Sequence, residues 1–243
     1  VARGLIALNA AMSACEKGGE WERTLALLEE LQRGRFAPNV VTYGAAVSAC
    51  EKGAVWQRAL ALLAEMDRAS LESNVITCSA GISACEKGRR WRPALRLLER
   101  MLSGSLEVNV ITYSAVISAC EDGQQWWRAS ALITQMRQGG IAPNTITYNA
   151  ELGSFDASEK WEAALAAMRE MRGAWVFPDT ISYNAATSAS RRSQVWSWSL
   201  ALLREREERG LPPDSVTRKL MMTVCEQEGL VASEVALLRS LGL

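Results

Sequence analysis

The sequence contains no histidine. That removes the commonest general base near neutral pH and half of the usual zinc ligands. No Cys-x-x-Cys occurs, so neither a zinc ribbon nor a zinc deaminase centre is supported. A glycine-rich phosphate loop and a nucleophile constellation are also missing, and the chain is expected not to be an enzyme. No cofactor, metal or small-molecule substrate is implied. No run of 18 apolar residues exists, so no membrane span is expected. An excess of positive charge is lacking too: 27 Lys plus Arg face 27 Asp plus Glu, which gives no general attraction to phosphate.

What is there is a period. Tryptophan recurs at Trp21, Trp56, Trp91, Trp126, Trp161 and Trp196, and cysteine at Cys15, Cys50, Cys85, Cys120 and Cys225, on a 35-residue beat. An Asn or Asp marks each boundary: Asn39, Asn74, Asn109, Asn144, Asp179 and Asp214. Self-similarity at one period of this length means a solenoid whose units pack on their neighbours. Counted from the residue after each boundary, the units are 5–39, 40–74, 75–109, 110–144, 145–179, 180–214 and a partial 215–243, one array over 1–243. The chain begins at Val1 in mid-repeat and is expected to be a fragment, with any targeting peptide outside it.

Each unit reads as two helices. The first is expected over about positions 3 to 13, such as Thr42 to Lys52, and the second over about positions 16 to 28, such as Val55 to Arg68. Gly18, Gly53, Gly88 and Gly123 read as helix terminators between them. Trp56, Leu60, Leu63 and Met66 form the apolar stripe of the second helix. Pro38, Pro143, Pro178 and Pro213 close units, and the boundary Asn or Asp can cap the next helix. The fold class is all-α, an α-solenoid of about seven helix-turn-helix repeats in a right-handed superhelix.

Two stripes of the first helix differ in character. Positions 4, 8 and 11, such as Tyr43, Val47 and Cys50, read as core, and the periodic cysteines as small buried hydrophobes. Position 2 is Ile6, Val41, Ile76, Ile111, Ile146, Ile181 or Val216, and position 5 is Asn9, Gly44, Ser79, Ser114, Asn149, Asn184 or Lys219. Asn, Ser and Gly are poor helix formers, so helix stability does not account for position 5. A small hydrogen-bonding group beside an aliphatic wall, repeated at one spacing, suits flat ligands such as unstacked bases.

The 35-residue period, the Val-Val-Thr-Tyr or Val-Ile-Thr-Tyr start, the Lys-Gly turn, the Ala-Leu pair and Leu-Leu and Met of the second helix, and the Pro-Asn or Pro-Asp end resemble the pentatricopeptide repeat family over nearly the whole chain. The resemblance implies a sequence-specific single-stranded RNA-binding module, about one base per repeat. It acts in organellar RNA processing, stability, translation or editing, in the mitochondrion or chloroplast, with other RNA-processing proteins as further partners. Residues at positions 5 and 35 read the base, giving the pairs Asn9/Asn39, Gly44/Asn74, Ser79/Asn109, Ser114/Asn144, Asn149/Asp179 and Asn184/Asp214. Ile6, Val41, Ile76, Ile111, Ile146 and Ile181 sandwich it, and Lys17, Lys52 and Lys87 contact phosphate. In the family, Asn with Asn favours pyrimidines, Ser with Asn favours A, Asn with Asp favours U, and Gly with Asn has no defined preference. The implied site is 5′-Y-N-A-A-U-U-3′. The alternative is a helical-repeat scaffold for protein–protein interaction, which has no reason to confine position 5 to Asn, Ser and Gly.

Overall fold

A computed structural model describes residues 2–34 and 36–228, without the side chains of residues 2–5, 196 and 224–228. The seventh unit's second helix, expected near Val231, and the side chain of Cys225 lie outside the described residues. Among the described residues there are thirteen α-helices and no strand. They are α1 (Ala2–Lys17), α2 (Trp21–Arg33), α3 (Val40–Lys52), α4 (Trp56–Arg68), α5 (Val75–Lys87), α6 (Trp91–Ser103) and α7 (Val110–Asp122), followed by α8 (Trp126–Gln138), α9 (Thr145–Ala157), α10 (Trp161–Gly173), α11 (Thr180–Arg192), α12 (Trp196–Glu208) and α13 (Ser215–Glu228). The chain divides into two compact units, Val1–Ala119 and Cys120–Leu243. Within each, odd-numbered helices pack on the next odd-numbered helix and on the even-numbered partner that follows, as α3 does on α5 and α4, and α9 on α11 and α10.

The odd-numbered helices from α3 onward start two residues before the expected place, directly after the boundary residue. Asn39, Asn74, Asn144 and Asp179 sit in extended backbone and accept a hydrogen bond from the amide three residues on, while Thr42, Thr77, Thr147 and Ser182 return one to the cap's own amide. These reciprocal capping boxes satisfy amides that have no partner inside the helix. Helix α1 has no such residue before it and begins at Ala2, ahead of the expected boundary at Leu5.

The helices α3 and α5 end where expected, with Gly53 and Gly88 as C-caps, but not for the usual conformational reason. Gly53 and Gly88 lie at φ −79° and −82°, ordinary right-handed backbone. The left-handed residue is the next one, and it is Ala54, Arg89, Gln124, Glu159 or Gln194. Glycine is needed for space instead. A Cβ on Gly53 would lie 2.4 Å from Trp21 Cδ1, and one on Gly88 2.3 Å from Trp56 Cδ1. Trp21 and Trp56 therefore lie against the turn of the following repeat, and there the periodic Trp and the turn Gly are one contact. A cation completes it in places: Arg90 covers the Trp56 ring at 4.9 Å and Lys160 the Trp126 ring at 5.7 Å.

Tyr43, Val47 and Cys50 are buried, as are Tyr113, Ile117 and Cys120. Burial pushes the Cys50, Cys85 and Cys120 thiols up to about 11, which keeps them protonated and unreactive. In α4 the buried residues are Ala59, Leu62, Leu63 and Met66, so the core stripe runs one row away from the expected one. Trp56 and Leu60 are only half buried, because the ring is turned toward the next repeat. The fifth repeat repacks around its substitutions. Phe155, in the cysteine position, stacks at 6.2 Å on Trp126, and the Glu121 carboxylate fills the space where a Cβ on Gly153 would stand.

Candidate nucleic-acid interface

The position 2 residues are all exposed. Ile6, Val41, Ile76, Ile111, Ile146, Ile181 and Val216 keep between 53% and 69% of their surface open to solvent. Large β-branched aliphatics are normally drawn into the core, so an exposed one in each repeat calls for a ligand or partner. In each unit they flank the residues at position 5, which are half-buried at Asn9, Gly44, Ser79, Ser114 and Asn149 and buried at Asn184.

Position 5 does not stand alone. In the first repeat the Thr42 hydroxyl lies 2.8 Å from Asn9 Oδ1 and 2.9 Å from Asn39 Oδ1. Three residues thus form one cluster: position 5, the boundary residue, and the third residue of the next helix. In the third repeat Ser79 Oγ lies 2.9 Å from the Thr112 hydroxyl, which donates to Asn109 Oδ1 at 3.0 Å. In the fifth, Asn149 Nδ2 donates to both Asp179 oxygens at 3.2 and 3.3 Å, and Ser182 Oγ donates to Asn149 Oδ1 at 2.5 Å. The sixth repeats this with Asn184, Asp214 and Thr217, at 3.2, 3.2 and 2.7 Å. The hydroxyl fixes which way the Asn149 and Asn184 amides face: the oxygen meets the hydroxyl and the NH2 meets the carboxylate. The Thr217 backbone amide first of all, then its hydroxyl and Asn184, hold the Asp214 carboxyl below the usual range, so it is ionised at neutral pH.

The second repeat lacks its cluster. Gly44 has no side chain, and the Thr77 hydroxyl turns back to the Asn74 carbonyl at 2.9 Å, presenting its methyl toward Gly44. In the fourth, Ser114 donates to the Val110 carbonyl at 2.8 Å, and Asn144 caps α9 at Thr147. The sequence reading placed the position 5 and boundary residues but missed the buried hydroxyl between them. Its signal was a Thr or Ser at the third position of every helix that follows a boundary residue: Thr42, Thr77, Thr112, Thr147, Ser182 and Thr217.

The lysines sit differently from a free phosphate clamp. Lys52 Nζ bonds the Glu16 carbonyl at 2.9 Å and its carboxylate at 3.1 Å, and Lys87 bonds Glu51 at 2.9 Å. Arg192 meets Asp156 in the same way at 3.2 Å. Each cation is held by the acid at the end of the preceding repeat's first helix. Lys17, in the first repeat, is exposed.

A family model for the pentatricopeptide repeat domain matches residues 61–123, 105–157 and 132–189, more than half of the chain. The chain belongs to the pentatricopeptide repeat family. Among solved structures it is similar to the maize pentatricopeptide repeat protein PPR10, with a TM-score of 0.74 at 25% identity over 96% of this chain and 34% of that one. PPR10 in complex with an 18-nt psaJ RNA element matches at a TM-score of 0.59, 14% identity, and 98% and 40% coverage. The pentatricopeptide domain of Arabidopsis thaliana protein-only RNase P 1, in complex with tRNA, matches at 0.54 and 15% identity over 91% of this chain and 98% of that one. The chain spans between a third and two fifths of the length of PPR10. No curated protein sequence matches it.

Proposed function

We propose that the chain binds single-stranded RNA and reads about one base per repeat through the position 5 and boundary residues. The observation that carries this is the exposed aliphatic beside a pre-ordered polar cluster, present in the first, third, fifth and sixth repeats. A base slid between successive aliphatics, such as Ile76 and Ile111, meets apolar walls on both faces and the cluster at its edge. The clusters are already bonded internally, so little side-chain entropy remains to be lost on binding. Similarity to proteins solved with RNA supports the same reading.

Phosphate contacts by Lys17, Lys52 and Lys87 belong to this reading. Lys52 and Lys87 have to exchange a glutamate for a phosphate, which is inexpensive because an exposed ion pair contributes at most ~1 kcal/mol. The net number of phosphates neutralised is then small, and log affinity should fall with log salt at a slope of about −2 to −3. A role in mitochondrial or chloroplast RNA metabolism follows from the family, and fractionation of cells carrying the tagged full-length protein tests it.

The decisive experiment recodes one repeat. Ser79→Asn with Asn109→Asp converts the third cluster into the arrangement of the fifth. Asp179 caps Ser182 at 2.9 Å much as Asn109 caps Thr112 at 3.0 Å, so folding should hold. Competition between RNAs differing only at the third base should move the preference from A to U by about tenfold to hundredfold, the range of ~1–3 kcal/mol for a base-edge contact. A folded double variant that still prefers A means the cluster does not face the base.

A further inference from the structure

The third cluster has a direction, set by its protons. Its three oxygens form a chain: Ser79 Oγ lies 2.9 Å from Thr112 Oγ1, which lies 3.0 Å from Asn109 Oδ1. Asn109 Oδ1 also accepts the Thr112 backbone amide at 3.0 Å, so this atom is the oxygen of the side-chain amide and the NH2 points elsewhere. An amide oxygen only accepts, so the proton between Thr112 and Asn109 comes from the Thr112 hydroxyl. That hydroxyl has a single proton, and the proton between Ser79 and Thr112 therefore comes from Ser79. The reverse order would leave two oxygens 3.0 Å apart with no hydrogen between them. Thr112 is 1% exposed, so solvent offers its hydroxyl no other partner.

We propose that Thr112 is a positioning residue whose hydroxyl sets the polarity of Ser79 and thereby selects adenine over guanine at the third base. The inference rests on the RNA-reading function above. With its proton spent inward, Ser79 offers the ligand only lone pairs, and the Asn109 amide, with its oxygen already engaged, offers N–H. Adenine presents its N6 amino donor beside the N1 acceptor on the Watson–Crick edge, which matches both groups. Guanine presents the O6 acceptor beside N1–H and meets like with like at both. The third base is thus selected with the help of a residue in the following repeat that does not itself touch the base. The fifth cluster is directed in the same way to the opposite effect. Ser182 Oγ donates to Asn149 Oδ1 at 2.5 Å, which leaves an N–H of Asn149 for the ligand beside the acceptor Asp179. That pattern fits uracil, with its O4 acceptor and N3–H donor.

The test uses the whole chain and RNAs of the form 5′-Y-N-A-A-U-U-3′, with A or G at the third position and, separately, U or C at the fifth. Thr112→Val keeps the branched shape and the helix cap, because Asn109 accepts the backbone amide of that residue. Ser79 is then free to turn its proton outward, so A-over-G discrimination at the third position should fall about threefold to tenfold, the size of one neutral hydrogen bond. Thr112→Ala removes the same hydroxyl without the branched side chain and should match Thr112→Val. Thr112→Ser keeps the hydroxyl and should keep the wild-type ratio. U-over-C discrimination at the fifth position should not move in any of the three. A purely structural role would lower the melting temperature or the overall affinity with the A-to-G ratio unchanged, and that result overturns the proposal. So does a ratio lost equally in Thr112→Ser. If the wild type binds RNA without separating A from G at the third position, the reading function itself fails, and this inference with it.

Discussion

Gly44→Ser should create a reading cluster where the chain has none. A Cβ built on Gly44 meets one neighbour, Thr77 Cγ2, at 3.6 Å, an ordinary van der Waals contact. The position is interior to α3, so replacing Gly by Ser contributes about 0.5 kcal/mol of helix stability. The Thr77 hydroxyl now donates to the Asn74 carbonyl. Rotation to a second staggered rotamer, one that threonine populates readily in helices, brings it to the new hydroxyl, as Thr112 meets Ser79 at 2.9 Å. One hydrogen bond is exchanged for another, so its net contribution is at most about 0.5–1.5 kcal/mol. The variant should be ~0.5–1.5 kcal/mol more stable in urea titration followed by circular dichroism. Its RNA site should gain a preference for A at the second position, where the Gly44/Asn74 pair is expected to set none. Loss of stability would refute the steric argument. A stabilised protein that stays indifferent at the second base would refute the link between cluster and readout.

Glu151 gives the fifth repeat a pH response. Burial above all, partly offset by the bond from Ser130 at 2.7 Å, pushes its carboxyl from 4.5 to about 7. A folded-state value above the unfolded one means stability is fully present below pH ~4.5 and is lost as pH rises to ~7, by about 3 kcal/mol in total. Urea titrations at pH 5 and pH 8 should show the wild type losing stability relative to Glu151→Gln, and parallel behaviour of the two proteins would contradict this. Gly88→Ala should destabilise by about 1–3 kcal/mol, because the Trp56 Cδ1, Cγ and Cβ atoms all stand within 3.1 Å of the added carbon. The companion change Trp56→Ala should cancel the cost of Gly88→Ala in a double-mutant cycle, and strictly additive losses would show that the two residues do not share a contact.

The repeat frame was legible because each helix pair is one copy of the same solution. The boundary Asn and Asp, the exposed Ile row and the buried Tyr and Cys rows all lie at fixed steps. The αL residues were not legible. Ala54, Ser70, Arg89, Ser105 and Trp175 all adopt positive φ, and nothing in those residue types announces it. A local bond pattern holds that backbone: the amide after the αL residue closes on the carbonyl five residues back, as Val55 does on Cys50 at 2.9 Å and Arg90 on Cys85 at 2.8 Å. The glycine of the turn was legible as the end of the helix, but its contact with a ring one repeat away was not. The hydroxyl of Thr42 and its equivalents was visible as a periodic residue, but only the geometry ties it to position 5.

The boundary residue starts a helix and, on the proposed reading, faces the base as well, and that double duty restricts the vocabulary of the array. A residue there must cap: Asn39, Asn74, Asn109 and Asn144, then Asp179 and Asp214, each accept the amide three residues on. Gln, Arg or Lys could address a base edge equally well, yet each would leave α3, α5 or a later helix uncapped, at about 0.5–2 kcal/mol per repeat. Recoding is therefore confined at this position to the short side chains that also fold the chain. Position 5, inside the helix and relieved of that duty, is where variety can accumulate, and it is there that the sequence alternates between Asn, Gly and Ser.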